Sequence, residues 1–503
     1  MYGLGCGPGD APAAGTGAPV GGANHRSGDV RTPPVVAAPA AAPTVPVQIF
    51  VDTSGSMAGF FGPIAPRDPG KRLLAVHEEL DAALTETGLK PARKCTVGND
   101  VTCARVPTAP AQLASQDLYR ESTSRLDKVL ARALPPARID PNIPPPPDLL
   151  DDATVTLLLT DGMAVAPPGG GSTVCGSGAD PACVGALLQQ RIDEGFGAWI
   201  VGLLLPFHGT HYPERTLTAA YLEQARGHVG QLKFDQRNLG VTFSIGDLGV
   251  DASSGGTSTY RYQGYKPLLL FVLSRETEVA RALVSTIVQK LRAAPIQPGK
   301  MSPADTVHSV ELAPLTATAV QAPRIESVSK LEQQQIFGPK FDQAQLLELK
   351  LKESARFGGG LSQKVWCGAS GRSLLDISYD LGRRTLPAYL QERVRLVPDG
   401  RAPASSVAPP TDAGPRRVRT GIQCSALPVR PDNTLTFTLQ SELSLDPAEL
   451  DKQWWSRNGW SSASSWQMPE RVYLLEDIIL PILKARAKQP ARWDRVVFHV
   501  ERV

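Results

Sequence analysis

Along residues 45–295, short apolar runs alternate with segments of helical spacing. Val45–Val51 (VPVQIFV), Ala153–Thr160 (ATVTLLLT), Gly197–Leu205 and Pro267–Ser274 are near-continuous apolar runs of strand length. Strands covered on both faces have this texture. Between them, Lys71–Gly88 sets Leu73, Leu74, Val76, Leu80 and Leu84 at helical spacing and stops at Gly88, a residue suited to the turn after a helix. Ser122–Leu134, Val184–Glu194 and Glu276–Leu291 also read as helices, with a further one near Leu217–Gln224. Residues 89–118 read as a polar insertion and the rest of 206–264 as irregular. Alternating strands and helices predict an α/β fold: a Rossmann-like, doubly wound, mainly parallel sheet.

Beyond about residue 300 the pattern changes. Leu346–Leu351, Leu374–Tyr379, Val394–Val397 and Thr434–Leu439 are short strand-like runs between Gly/Pro/Ser loops. They predict a β-rich, sandwich-like C-terminal domain over 296–503. It closes with an amphipathic helix over Val472–Lys488, interrupted by Pro481, and a strand over Arg495–Val503. Residues 1–44 form a Gly/Pro/Ala tract with almost no large apolar side chains, expected to be an extended tether that buries too little surface to fold.

Of 503 residues, 42% are hydrophobic and 20% charged, enough for packed cores in more than one domain. The 52 basic and 49 acidic residues nearly balance, with a net charge of +3. No basic stripe marks a nucleic-acid surface, so no nucleic-acid partner is expected. No apolar run reaches the roughly 18 residues of a membrane span.

Seven cysteines stand at 6, 95, 103, 175, 183, 367 and 424. Cys95/Cys103 and Cys175/Cys183 lie close together across polar sequence, and Cys367/Cys424 form a third possible pair. Such spacing suggests disulfides and an oxidising compartment. Cys95-TVGNDVT-Cys103 reads as a small hairpin stapled at its base.

The chemistry concentrates where two apolar strands end. Asp52-Thr53-Ser54-Gly55-Ser56 follows the first run directly, and Asp161-Gly162 follows Thr160. In open α/β sheets, ligands bind beyond the carboxyl ends of strands. Alternate positions 52, 54 and 56 can turn three oxygen-bearing side chains toward one point, with Asp161 as a second carboxylate at the same edge. Ser124, or its neighbour Thr123, can add a hydroxyl from the start of the second helix. Hard oxygen donors suit Mg²⁺, or Ca²⁺ or Mn²⁺, rather than zinc.

These residues resemble the von Willebrand factor A (vWA) family and its metal-ion-dependent adhesion site (MIDAS). Asp52, Ser54 and Ser56 match its Asp-x-Ser-x-Ser, and Asp161-Gly162 its later Asp-Gly. Ser124-Arg125-Leu126 stands where the family has Thr-x-Leu, with Ser in place of Thr. The resemblance covers 45–295. It implies a metal site of Asp52, Ser54, Ser56, Ser124 or Thr123, and Asp161. It also implies a protein partner that supplies an Asp or Glu carboxylate, and binding in place of catalysis. Gly3-Leu4-Gly5-Cys6 is similar to the end of a bacterial lipoprotein signal, although only five residues precede the cysteine. That implies location in the cell envelope, periplasmic or surface-exposed, with membrane attachment only through a lipid on Cys6.

The enzymatic alternatives fit less well. Ser54 breaks the contiguous Asp-Thr-Gly of aspartic proteases, and it stands where haloacid-dehalogenase phosphatases carry their second Asp. His208 and His211 read as exposed loop residues. Trp454, Trp455, Trp460 and Trp466 suggest core or interdomain packing. They also support an alternative reading, an envelope scaffold whose contacts run through the Trp-rich region.

Overall fold

In the computed structural model, the described residues are 45–61, 72–103, 110–131 (less 114 and 122), 155–162, 181–213, 217–235, 243–251, 257–294, 303–312, 324–330, 345–352, 362–367, 372–380, 387–398, 411–412, 417–423, 434–487 (less 465) and 491–502. The expected tether, Cys6, Cys175 and Cys424 lie outside them.

The first half runs β1 (Pro46–Asp52), α1 (Arg72–Glu86), β2 (Lys90–Val97), β3 (Val101–Thr102), α2 (Pro110–Leu113), α3 (Leu126–Leu130), β4 (Val155–Thr160), α4 (Pro181–Asp193), β5 (Gly197–His211), α5 (Ala219–Asp235), β6 (Ser244–Asp251), β7 (Thr257–Ser274), α6 (Thr277–Ala293), α7 (Pro303–Thr306) and β8 (Val307–Glu311). These strands form one eight-stranded sheet in the order β3-β2-β1-β4-β7-β5-β8, with β6 paired to β7. β1 pairs in parallel with both β2 and β4. β7 lies antiparallel between β4 and β5. Five of the eight strands (β1, β2, β4, β5 and β6) point the same way, so the α/β sheet is mixed and mainly parallel in strand direction, with parallel pairing at β1–β2 and β1–β4.

Successive side chains of a strand face opposite sides, and the sheet uses both. Val47, Ile49, Val51, Leu157, Leu159, Val201, Leu203, Leu268 and Leu270 share one buried cluster with α1, α5 and α6. Phe50, Leu158, Ala198, Ile200, Leu269 and Phe271 share a second with α3 and α4. The second cluster crosses the boundary expected at 295/296. It takes in Tyr389, Trp455 and the helix over Leu475–Ala487, which lies against α4.

Four stretches depart from the sequence expectation. Residues 89–118 are not all insertion, because Lys90–Val97 is a sheet strand. Its other neighbour is only the two-residue β3, so Cys95 and Val97 are buried while Lys90 and Arg93 stay exposed, and the apolar signal is short. Residues 206–264 are largely regular. β5 continues to His211, and the ladder with β7 runs unbroken from Gly197↔Ser274 to His211↔Tyr260. Tyr260 and Tyr262 are buried and Arg261 is exposed, an alternation the polar residues disguised. The helix expected over Ser122–Leu134 is described only as Leu126–Leu130, and the C-terminal helix begins at Leu475 and continues through Pro481. Cys95 and Cys103 form the expected disulfide at the base of the β2–β3 hairpin.

The later strands are β9 (Arg324–Lys330), β10 (Gln345–Lys352), β11 (Ser362–Cys367), β12 (Arg372–Asp380), β13 (Leu390–Pro398), β14 (Thr411–Asp412), β15 (Arg417–Gln423), β16 (Thr434–Leu445), β17 (Ser461–Ser462), β18 (Val472–Tyr473) and β19 (Ala491–Arg502). Two of the sheets they form are antiparallel, β11-β10-β19-β16-β13 and β14-β15-β12-β9.

Candidate functional site

Asp52 is the last residue of β1 and Asp161 follows the last residue of the adjacent β4, so the sheet brings both carboxylates to one edge. Both are buried, at 0% and 1% exposure. The Ser54 amide donates to Asp52 Oδ1 at 2.8 Å. The Ser54 and Ser56 hydroxyls lie 3.0 Å apart. Ser54, Ser56, Thr123 and Ser124 are also buried.

The segment leading into α3 is clamped to this loop. Gly55 N–H donates to the Glu121 carbonyl at 2.8 Å, and Glu121 N–H to the Thr53 carbonyl at 3.2 Å. Arg125 N–H donates to the Gly98 carbonyl in the hairpin turn. These contacts aim two adjacent hydroxyls differently. Ser124 Oγ donates to Asp52 Oδ2 at 2.8 Å. Thr123 Oγ1 donates to Asn99 Oδ1 at 2.6 Å, away from Asp52. Of the two hydroxyls considered from sequence, Ser124 is the one that meets the DTSGS loop.

Ser56 belongs to a 3-10 turn, Gly55–Phe61, lying across β5. A side chain on Gly209 would meet the Gly59 backbone at 2.4 Å. The absence of both side chains sets how near this turn sits to the sheet. Phe60 and Phe207 complete the contact edge to face.

Two residues missed in the sequence complete the surroundings. Thr160 Oγ1 donates to Asp52 Oδ2 at 2.6 Å. Lys266 Nζ donates to Asp161 Oδ2 at 2.6 Å, with the two side chains 3% and 0% exposed. β4 ends at Thr160, opposite Leu269, so β7 carries Lys266 beyond that end and over the shared edge. The available signals were a hydroxyl immediately before Asp161 and a lone lysine beside the apolar run Pro267–Leu273.

Burial, and then the neighbouring charge of Asp161, raise the Asp52 pKa from 3.8 to about 6. Hydrogen bonds from Thr160 and Ser54 oppose the shift without cancelling it. The charged form of Asp52 is therefore disfavoured, by burial first and by the Asp161 charge second. The donors suit a hard divalent ion, with Asp52, Asp161, Ser54, Ser56 and Ser124 as the oxygens able to hold it. No cluster of three His, Cys, Asp or Glu side chains occurs among the described residues, so hydroxyls would have to supply much of the coordination.

His208 and His211 lie on β5, correcting their expected place in a loop. His208 is exposed and His211 is 0% exposed, its ring against Tyr260. Three positions apart on a strand, they face opposite sides and cannot share one ion. Trp455 and Trp466 are buried. Trp454 and Trp460 pack on each other and on His308, over the space above Gly202.

No protein-family model, curated protein or solved structure matches the chain.

Proposed function

We propose that residues 45–295 form a vWA-type, Rossmann-like domain that binds a protein partner through a divalent cation, Mg²⁺ or alternatively Ca²⁺ or Mn²⁺. The observation that carries this reading is the bond from Ser124 to Asp52 Oδ2, because it brings a third chain segment to the carboxylate between the DTSGS loop and Asp161. Asp52, Ser54, Ser56, Ser124 and Asp161 would hold the ion. Bound there, it would act as a Lewis acid for a partner's carboxylate. Asp52 accepts from Ser54 N–H, Ser124 and Thr160, an arrangement suited to holding a ligand more than to turning one over. The Cys95–Cys103 disulfide supports an oxidising compartment, in keeping with the cell envelope. The antiparallel sheets beyond residue 324 would form the sandwich-like domain.

The burial of every one of these donors favours a second reading. An ion enclosed at the sheet edge would staple β1 to β4, and partner contacts would lie elsewhere, as in a structural envelope scaffold. The burial of Trp455 and Trp466 leaves mainly Trp454 and Trp460 for such contacts.

Capture from an envelope extract separates the two. Wild-type chain in Mg²⁺, wild-type chain in EDTA and Asp52→Asn in Mg²⁺ are compared. The adhesion reading expects a protein retained only in the first. Equal retention in all three sinks it in favour of the scaffold.

A further inference from the structure

The ion pair between Lys266 and Asp161 bears directly on how a cation would bind. Its ammonium is enclosed: Lys266 is 2% exposed, its Nζ is 2.6 Å from Asp161 Oδ2, and it lies 5.1 Å from the Phe207 ring centre. A buried ammonium is costly unless a carboxylate compensates it, and breaking such a pair leaves a buried charge exposed to nothing favourable. The lysine arrives on β7, the strand that runs antiparallel between β4 and β5 and overshoots the end of β4. Asp52, by contrast, accepts amide and hydroxyl hydrogens among the described residues: Ser54 N–H, Ser124 and Thr160. The two carboxylates at the edge are thus unequally served, with one neutralised by a tethered cation and the other held by dipoles.

We infer that Lys266 is a built-in counter-ion that sets the divalent-cation affinity of this edge by occupying Asp161. This deepens the cation-site reading and rests on it for the placement of the ion. With the lysine in place, the two carboxylates and the ammonium sum to one negative charge. A divalent ion then meets one uncompensated carboxylate and the repulsion of a nearby ammonium. Without the lysine it meets two carboxylates. Coulomb energies at short range in a poorly solvated site are large enough for one charge to change affinity by about tenfold or more. The lysine would also keep the edge folded without metal, by balancing charge that otherwise repels across β1 and β4.

The test is Mn²⁺ binding to the full chain, followed by the electron paramagnetic resonance of free Mn²⁺, with folding checked by near-ultraviolet circular dichroism. Lys266→Met should bind Mn²⁺ about tenfold or more tightly than wild type. Affinity equal to or below wild type in folded Lys266→Met overturns the inference. A second comparison serves if that variant does not fold. Asp161→Asn retains the lysine and leaves the site without net charge, so it should lose Mn²⁺ binding. Lys266→Met in the Asp161→Asn background restores one negative charge and should recover binding. Failure to recover it overturns the inference as well. The two readings fail separately. Binding by Lys266→Met but not by wild type upholds the counter-ion and removes the cation from the native function. Equal binding by both does the reverse.

Discussion

Ser124 Oγ donates to Asp52 Oδ2 at 2.8 Å across 72 positions of sequence, while Thr123 beside it bonds Asn99. Cation affinity should therefore respond to one hydroxyl and not the other. Ser124→Ala should weaken Mn²⁺ binding and cost about 2 kcal/mol of stability, since it removes a hydrogen bond to a buried charged group. Thr123→Val should leave Mn²⁺ affinity within about threefold of wild type. Calorimetric titration and urea unfolding of the two variants check this. An equal loss of affinity in both would place the wrong hydroxyl at the site.

Asp52 and His77 should give opposite pH slopes. The folded pKa of Asp52 is raised from 3.8 to about 6, so the folded state holds the extra proton in that interval. Its contribution to stability is present at low pH and lost as pH rises through about 6. His77 is lowered from 6.5 to about 4, by burial first and then by the Lys94 charge. There the unfolded state holds the extra proton, and stability is lost as pH falls from 6.5 toward 4. Each shift corresponds to about 3 kcal/mol at full span. In metal-free buffer, wild type minus Asp52→Asn should fall from pH 4 to 6, and wild type minus His77→Leu should rise. Urea unfolding at several pH values measures both, and parallel curves would contradict the assignment.

The hairpin staple should matter beyond its own loop. Its turn provides Asn99 for Thr123 and the Gly98 carbonyl for Arg125, the contacts that fix the entry to α3. Replacing Cys95 and Cys103 by Ala should cost about 2 kcal/mol, the scale of a short disulfide loop. It should also weaken Mn²⁺ binding, because Ser124 loses its support. Full stability loss with unchanged Mn²⁺ affinity would separate the hairpin from the site.

Gly209→Ala places a methyl against the Gly59 backbone, where a side chain would come within 2.4 Å. It should cost about 1–3 kcal/mol as the turn carrying Ser56 is pushed off β5. Gly227→Ala is the control, since a side chain there meets nothing within 4 Å and the residue lies inside α5. It should be neutral or mildly stabilising. Thermal unfolding of the two variants distinguishes local overpacking from a general intolerance of alanine.

The parts of the fold that were legible in sequence are those buried on both faces. β1, β4 and the apolar half of β7 read as continuous runs, and Leu73, Val76, Leu80 and Leu84 marked the inner face of α1. The rest was hidden for physical reasons. β2 buries little because β3 is so short. The polar half of β7 alternates Tyr260 and Tyr262 with Arg261, which resembles loop sequence unless read at period two. The antiparallel placement of β7 is a pairing choice that its own composition does not encode. At the site, the loop residues were visible because short oxygen side chains follow a buried strand. Lys266 was not, because its meaning depends on where β4 stops.

The most direct test of the cation-site reading is calorimetric titration of Mn²⁺ into the metal-free full chain and its Asp52→Asn variant. One ion per wild-type chain, with affinity at least about tenfold weaker in the variant, is the predicted result. Equal binding by the two proteins, or no saturable binding by wild type, would contradict the reading.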